Sequence, residues 1–291
     1  MLYQILALLI WGSSFIAAKY SYEMLDPTLM VEARLLIAAL MVLPSCRRHL
    51  GRIPRSEWKP LLWISFVNYV VVLMLQFIGL KYTSAASAVT MVGLEPLLVV
   101  FVGHFFFNDK AKLYHWICCA VAFAGVGMMV MGGAEEGSTI DWFGCLLILL
   151  AGLGFAGVIR PSQQMITRIG APAFTAASMA VAAVLCLPFS LVLADSYQIN
   201  WSWGGTLSVL YMGIGCSWLA YLLWNKGMNK VPANVSGLLI SLEPVIGVIM
   251  AVLLWGEHLS TMSAMGITVV IASTFVAGML SRVSNKHKKA V

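Results

Sequence analysis

The side chains best placed to do chemistry are two carboxylates in matching settings, Glu95 in Leu94-Glu95-Pro96 and Glu243 in Leu242-Glu243-Pro244. Each tripeptide lies near the middle of an apolar stretch long enough to cross a bilayer. A carboxylate at that depth is costly, so it is kept where it faces a cavity, pairs with a cation or binds a proton. Pro96 and Pro244 each remove a backbone donor and disturb the helix at that point. Paired interruptions of this kind, in corresponding positions of two halves, mark where solutes and ions bind at membrane depth.

Around Glu95, residues Ser84, Ser87, Met91, Leu98 and Val102 recur at spacings of three and four, which puts two hydroxyls on its helix face. Ser236, Ile240, Gly247 and Met250 follow the same rhythm around Glu243, so both carboxylates are expected at a common centre. A second reading stays open, in which each glutamate caps backbone groups freed by its proline or pairs with a base. Arg34 is about seven residues into its span, or about 10 Å from the outer end at 1.5 Å per residue. That depth lets it snorkel; facing inward, it would pair with Glu95 or attract a substrate carboxylate. Glu32, two residues away, is on nearly the opposite helix face. Lys19 is expected to snorkel. Trp11, Tyr69, Trp218 and Tyr221 lie deeper than an interfacial belt, and line an amphipathic pocket or fill helix contacts. Asn68, Gln76 and Ser217 add hydrogen-bonding capacity at similar depth, a set that suits a zwitterion such as an amino acid.

Other patterns carry less. Gly152-Leu153-Gly154-Phe155-Ala156-Gly157 has the GxGxxG form but sits inside an apolar span with no preceding strand, so it reads as close helix contact. His104 and His115 have no further ligands to make a metal site, and no cofactor is implied. The six cysteines fall in or beside apolar spans without a CxxC pattern and read as small hydrophobes. Asn200-Trp201-Ser202 is a formal glycosylation sequon on an outer loop. No HExxH, GxSxG or P-loop sequence is present to support an enzyme or nucleotide-driven transport.

The elements that hold these residues follow from composition. With 60% hydrophobic and 10% charged residues and a mean hydropathy of +0.89, the chain is an all-α integral membrane protein. Ten transmembrane helices are predicted near residues 2–19, 28–46, 61–80, 84–107, 112–131, 141–160, 172–193, 204–226, 233–255 and 261–281. Fifteen of the 18 Lys and Arg then fall on one side, which the positive-inside bias makes cytoplasmic, together with both termini. This sorting accounts for the net charge of +6 without a nucleic-acid partner.

A shift of 148 residues lays Gly79 on Gly227, Glu95 on Glu243, Pro96 on Pro244 and Asp109 on Glu257. A shift of 144 lays Ala38, Ala39 and Pro44 on Ala182, Ala183 and Pro188, and one of 140 lays Gly12 and Phe15 on Gly152 and Phe155. Five spans per copy is an odd number, so the copies form two inverted five-helix repeats. The expected organisation is a first repeat at 1–131, an outer linker at 132–140, a second repeat at 141–281 and a basic cytoplasmic tail at 282–291.

Trp11-Gly12 with Phe15 and Lys19, Pro27 and Arg34 leading into Leu35-Leu36-Ile37-Ala38-Ala39, both Leu-Glu-Pro segments and Glu257 together resemble the EamA-like branch of the drug/metabolite transporter superfamily. Asn108-Asp109 departs from the Gly-Glu pair more usual there, and Arg34 has no basic counterpart in the second half. The resemblance implies a ten-helix carrier that exports or exchanges small metabolites, often amino acids or amphipathic compounds. The expected function is therefore a secondary transporter of the bacterial inner membrane, an exporter of small amphipathic metabolites such as amino acids that works by alternating access, with proton coupling left open. The alternatives are a membrane-embedded enzyme acting on an apolar substrate and a channel. Oligomeric state is not legible.

Overall fold

The computed structural model describes residues 2–107, 111–135, 142–228, 239–240, 242–254, 256 and 258–289, with backbone alone for 52, 130, 133–135 and 281–289. The described residues hold helices and no strands. Eight helices are long and apolar enough to cross a membrane: α1 (Leu2–Tyr22), α2 (Pro27–His49), α3 (Arg55–Lys81), α4 (Ala85–Phe106), α6 (Trp142–Ile169), α7 (Ala171–Leu193), α8 (Trp203–Met228) and the Thr261–Leu280 part of α10 (Thr261–Lys289). Two further helices have shorter apolar stretches, α5 (Leu113–Glu135) and α9 (Glu243–Leu254). The chain is a multi-pass membrane protein.

Local chemistry sets several boundaries. The Asp26 carboxylate accepts from the Thr28 amide at 2.9 Å, with Pro27 already holding a helical φ, so α2 starts there. Ser84 and Ser202 accept from Ser87 and Gly205 amides, each at 3.0 Å, and start α4 and α8. Gly170, at φ +85°, supplies the left-handed corner that turns α6 into α7.

Two expected boundaries move. α5 continues through Gly132 to Glu135, into the stretch assigned from sequence to the linker, while residues 136–141 lie outside the described residues. The cause is close packing: a Cβ on Gly132 would sit 2.5 Å from the Ser263 amide nitrogen, so the glycine fits α10 rather than ending α5. Likewise the backbone of α10 remains helical to Lys289, where a separate tail is expected. Ser236, Asp109 and Glu257, and the expected start of the ninth span, fall outside the described residues.

The helices pair across the chain. α1 packs on α8, α2 on α7, α3 on α6, α4 on α9 and α5 on α10. Contacts run antiparallel: Gln4 meets Gly227 while Trp11 meets Trp224, and Gly79 meets Gly144 while Gly154 meets Val72. Exposed ion pairs tie both ends of α3 to distant segments, Lys81 to Asp195 at 2.6 Å and Glu57 to Arg168 at 3.3 Å. Exposed pairs of this kind contribute about 0–1 kcal/mol, so helix packing carries the assembly.

Four helices are interrupted midway among the described residues, and α9 starts on a turn. α1 breaks at Ser13, α4 at Gly93-Leu94, and Leu242 precedes α9 as a turn. α3 widens into a π-helical turn over Phe66–Val71, and α8 does so over Met212–Leu219. Such turns are rare and concentrate at functional sites.

Candidate functional site

The breaks in α1 and α4 and the start of α9 border one central cavity. Its walls include Trp11, Arg34, Gln76, Glu95, Tyr221 and Glu243. Each of the two prolines leaves the carbonyl four residues earlier without its usual amide. Those carbonyls belong to Val92 and Ile240, and both residues line the cavity. α4 and α9 can approach this closely because Gly93 abuts Pro244 and Gly247 abuts Val89, where added Cβ atoms would come within 2.8 Å and 2.4 Å.

Glu95 and Glu243 are 5% and 6% exposed, and they are near enough for the charge of Glu243 to act on Glu95. Arg34 is also sealed, at 2% exposure, which excludes snorkelling. Among the described residues it makes no ion pair within 4 Å. Its guanidinium instead lies 4.9 Å from the Phe77 ring centroid, and Nε donates to Ser217 Oγ at 2.7 Å. Nη1 is buried without a hydrogen-bond partner. A cation held by a ring and a hydroxyl, with a donor unspent, is suited to an incoming anion. Lys19, half-buried, donates to the Thr83 carbonyl at 2.7 Å, at the turn between α3 and α4.

The π turn of α8 serves this site directly. Trp11 Nε1 donates to the Cys216 carbonyl at 2.9 Å, one residue before the hydroxyl that holds Arg34. Trp11 also meets Tyr221 edge-on at 4.8 Å between centroids, and Tyr221 in turn packs on Tyr69 at 4.7 Å. Phe15 stacks on Phe77 at 5.9 Å on the Arg34 side. The walls thus combine two acids and one base with aromatic faces.

The other sequence-predicted residues are placed differently. Ser217 is a partner of Arg34 behind the wall. Asn68 and Tyr69 are buried in the π turn of α3 outside the cavity lining, and Trp218 is half-buried against the apolar core. Ser14, Phe77 and Phe155 line the cavity without having been expected to. The repeat carried a signal for one of them, since Phe155 is the residue that aligns with Phe15. The cavity volume is about 40 Å³, room for about three or four waters at about 10–15 Å³ each.

Comparison with known proteins supplies the class. The model of the EamA-like transporter family matches residues 1–131 and again 142–279, and the chain belongs to that family. A Haemophilus influenzae protein described as an uncharacterized transporter is 46% identical over 142 residues, 48% of this chain and 84% of that protein. The uncharacterized transporter YetK of Bacillus subtilis is 28% identical over 281 residues, covering 93% of this chain and 84% of its own length. A solved crystal structure shares the fold at a TM-score of 0.67 and 20% identity, across 97% of this chain and 96% of that one.

Proposed function

We propose that this membrane transporter is a secondary carrier that exports small amphipathic metabolites such as amino acids by alternating access, with protons as the candidate counter-ion. The observation that carries the reading is the meeting of Glu95, Glu243 and Arg34 in one cavity between interrupted helices. Arg34 would take a carboxylate through its unspent Nη1. The glutamates would take an ammonium group or a proton, and the aromatic walls an apolar side chain. A cavity of about 40 Å³, against about 300–1,000 Å³ for small-molecule pockets, fits a closed stage of such a cycle.

The reading includes ten crossings arranged as two inverted repeats in the inner membrane, with both termini cytoplasmic, a first repeat at 1–131 and a second at 141–281. The pairing pattern supports it. A two-fold operation that exchanges α1 with α6 and α3 with α8 sends the α1–α8 pair onto α6–α3, while α2–α7, α4–α9 and α5–α10 map onto themselves. That relation is what antiparallel repeats require.

The test is flux of an amino-acid panel into sealed vesicles holding the purified protein, with an imposed pH gradient as the second variable. The proposal expects gradient-dependent movement of unchanged solute. A chemically altered product would instead identify an enzyme. Glu95→Gln and Glu243→Gln then separate coupling from a structural role: an unchanged pH profile in correctly inserted protein rejects coupling.

A further inference from the structure

Beyond the central cavity, toward the end of the bundle that carries Arg55 and Lys226, lies a second polar group made only of uncharged side chains. Its members are Asn68 and Tyr69 of α3, Thr175 and Ser178 of α7, and Asn225 of α8, all buried. The Asn225 amide donates to Thr175 Oγ1 at 2.9 Å, and Thr175 and Ser178 hydroxyls donate to carbonyls one turn back in their own helix. Asn225, Ser178 and Asn68 stand within hydrogen-bonding reach of the Tyr69 phenol. None stands in bonding geometry to it, however: the Tyr69 hydroxyl and Asn68 Oδ1 are sealed without hydrogen-bond partners. Burying a polar group without a partner costs free energy, so such groups are few in native interiors and call for an explanation.

The cluster adjoins the cavity along two helices. On α8, Ser217, Tyr221 and Asn225 follow at intervals of four, so one helix face runs from the Arg34 partner through the cavity wall into the cluster. On α3, Asn68 is four residues from the cavity-lining Val72 in the same direction, about 6 Å at 1.5 Å per residue. Between the cavity and the cluster stands the Trp11–Tyr221–Tyr69 stack.

The repeat gives the cluster its meaning. The 148-residue shift lays Tyr69 on Ser217, Asn68 on Cys216 and Phe77 on Asn225, and the 144-residue shift lays Arg34 on Ser178. The neighbours of Tyr69 are therefore the repeat mates of the neighbours of Ser217. The Arg34–Ser217–Phe77 arrangement recurs as Ser178–Tyr69–Asn225, upside down and without its charge.

We propose that this cluster is the inner half of the solute route, a second binding position for uncharged hydrogen-bonding groups and water, with the Tyr69–Tyr221 contact as its closed partition. This inference rests on the transporter reading and its inverted repeats. The missing charge suits release: the central position grips with ions, whereas the inner one offers only neutral donors and acceptors and holds a departing solute weakly.

Ser178→Cys and Asn225→Cys, prepared separately in the full chain, test this with a membrane-impermeant maleimide applied to inside-out and right-side-out vesicles. Wild type sets the background of the six native cysteines, and Thr167→Cys, exposed beside Arg168, marks full inner-face labelling. Labelling at either position from the inner face alone, above background, supports the proposal. No labelling at either position while Thr167→Cys reacts to completion overturns it and leaves helix packing, and labelling from the outer face also overturns it. Two positions on different helices keep the test alive should one variant fail to fold. Because no substrate is needed, a negative amino-acid flux screen would count against the transport reading and leave this result standing.

Discussion

Between Phe66 and Val71 in α3, and again between Met212 and Leu219 in α8, the helix opens into a π turn, and the groups presented there meet different surroundings. In α8 the turn gives the Cys216 carbonyl to Trp11 and the Ser217 hydroxyl to a buried guanidinium. In α3 the aligned residues, Asn68 and Tyr69, retain unpartnered polar atoms among neutral side chains. The two turns share the backbone irregularity while the chemistry differs at each aligned position, Arg34 against Ser178, Ser217 against Tyr69 and Phe77 against Asn225. An irregular backbone is a fold-level property shared by both copies, whereas a buried cation needs a specific cradle that only one copy built.

Removing the cation should therefore break the comparison most severely. Arg34→Ala is expected to lower flux by about tenfold or more, since hydrogen bonds to charged groups are each worth about 1.5–3 kcal/mol; vesicle flux normalised to inserted protein measures it. Arg34→Lys keeps the charge but lacks the planar fork, and should recover only part of the loss. If Arg34→Ala transported as well as wild type, the two π turns would be equivalent in function.

Ser217→Ala removes one bond to that cation and is expected to cost several-fold in KM for an anionic or zwitterionic solute. The aligned change Tyr69→Phe removes a hydroxyl that has no partner in this conformation and should alter KM less. Concentration dependence of initial flux for both variants checks the ordering. Equal effects would remove the asymmetry drawn between α8 and α3.

Stability offers a smaller and independent contrast. Gly93→Ala would press a Cβ to 2.8 Å from Pro244 Cγ at the α4–α9 crossing, so a loss of about 1–3 kcal/mol from overpacking is expected. Gly157→Ala, on α6, meets nothing within 4 Å and should be neutral or stabilising by up to about 1 kcal/mol through helix propensity. Thermal unfolding of both variants in the same detergent measures the difference; similar midpoints would mean that the α4–α9 crossing yields to a methyl group.

Much of this was legible before any coordinates. Apolar run lengths located the long helices, because a bilayer permits few ways to satisfy a backbone. The Leu-Glu-Pro repeats pointed to the cavity, because an acid and a helix breaker at membrane depth both need a reason to be there. The misplaced boundaries also have a local origin: Gly132 looks like linker composition in one dimension, and is a close-contact residue against Ser263 in three.

The sequence by itself determined the membrane class, the duplicated segments and the residue types available to a polar solute. Only the tertiary structure decided their use. Helical periodicity says which residues share a face but not which way that face turns, so the rotation of α2 that seals Arg34 over Phe77 had no signature in the chain. The same holds for the cavity at the meeting of α1, α4 and α9, for Tyr69 being set behind Tyr221, and for the unpartnered atoms around Asn68. Each is a relation between helices distant in sequence, fixed by packing that no single helix encodes.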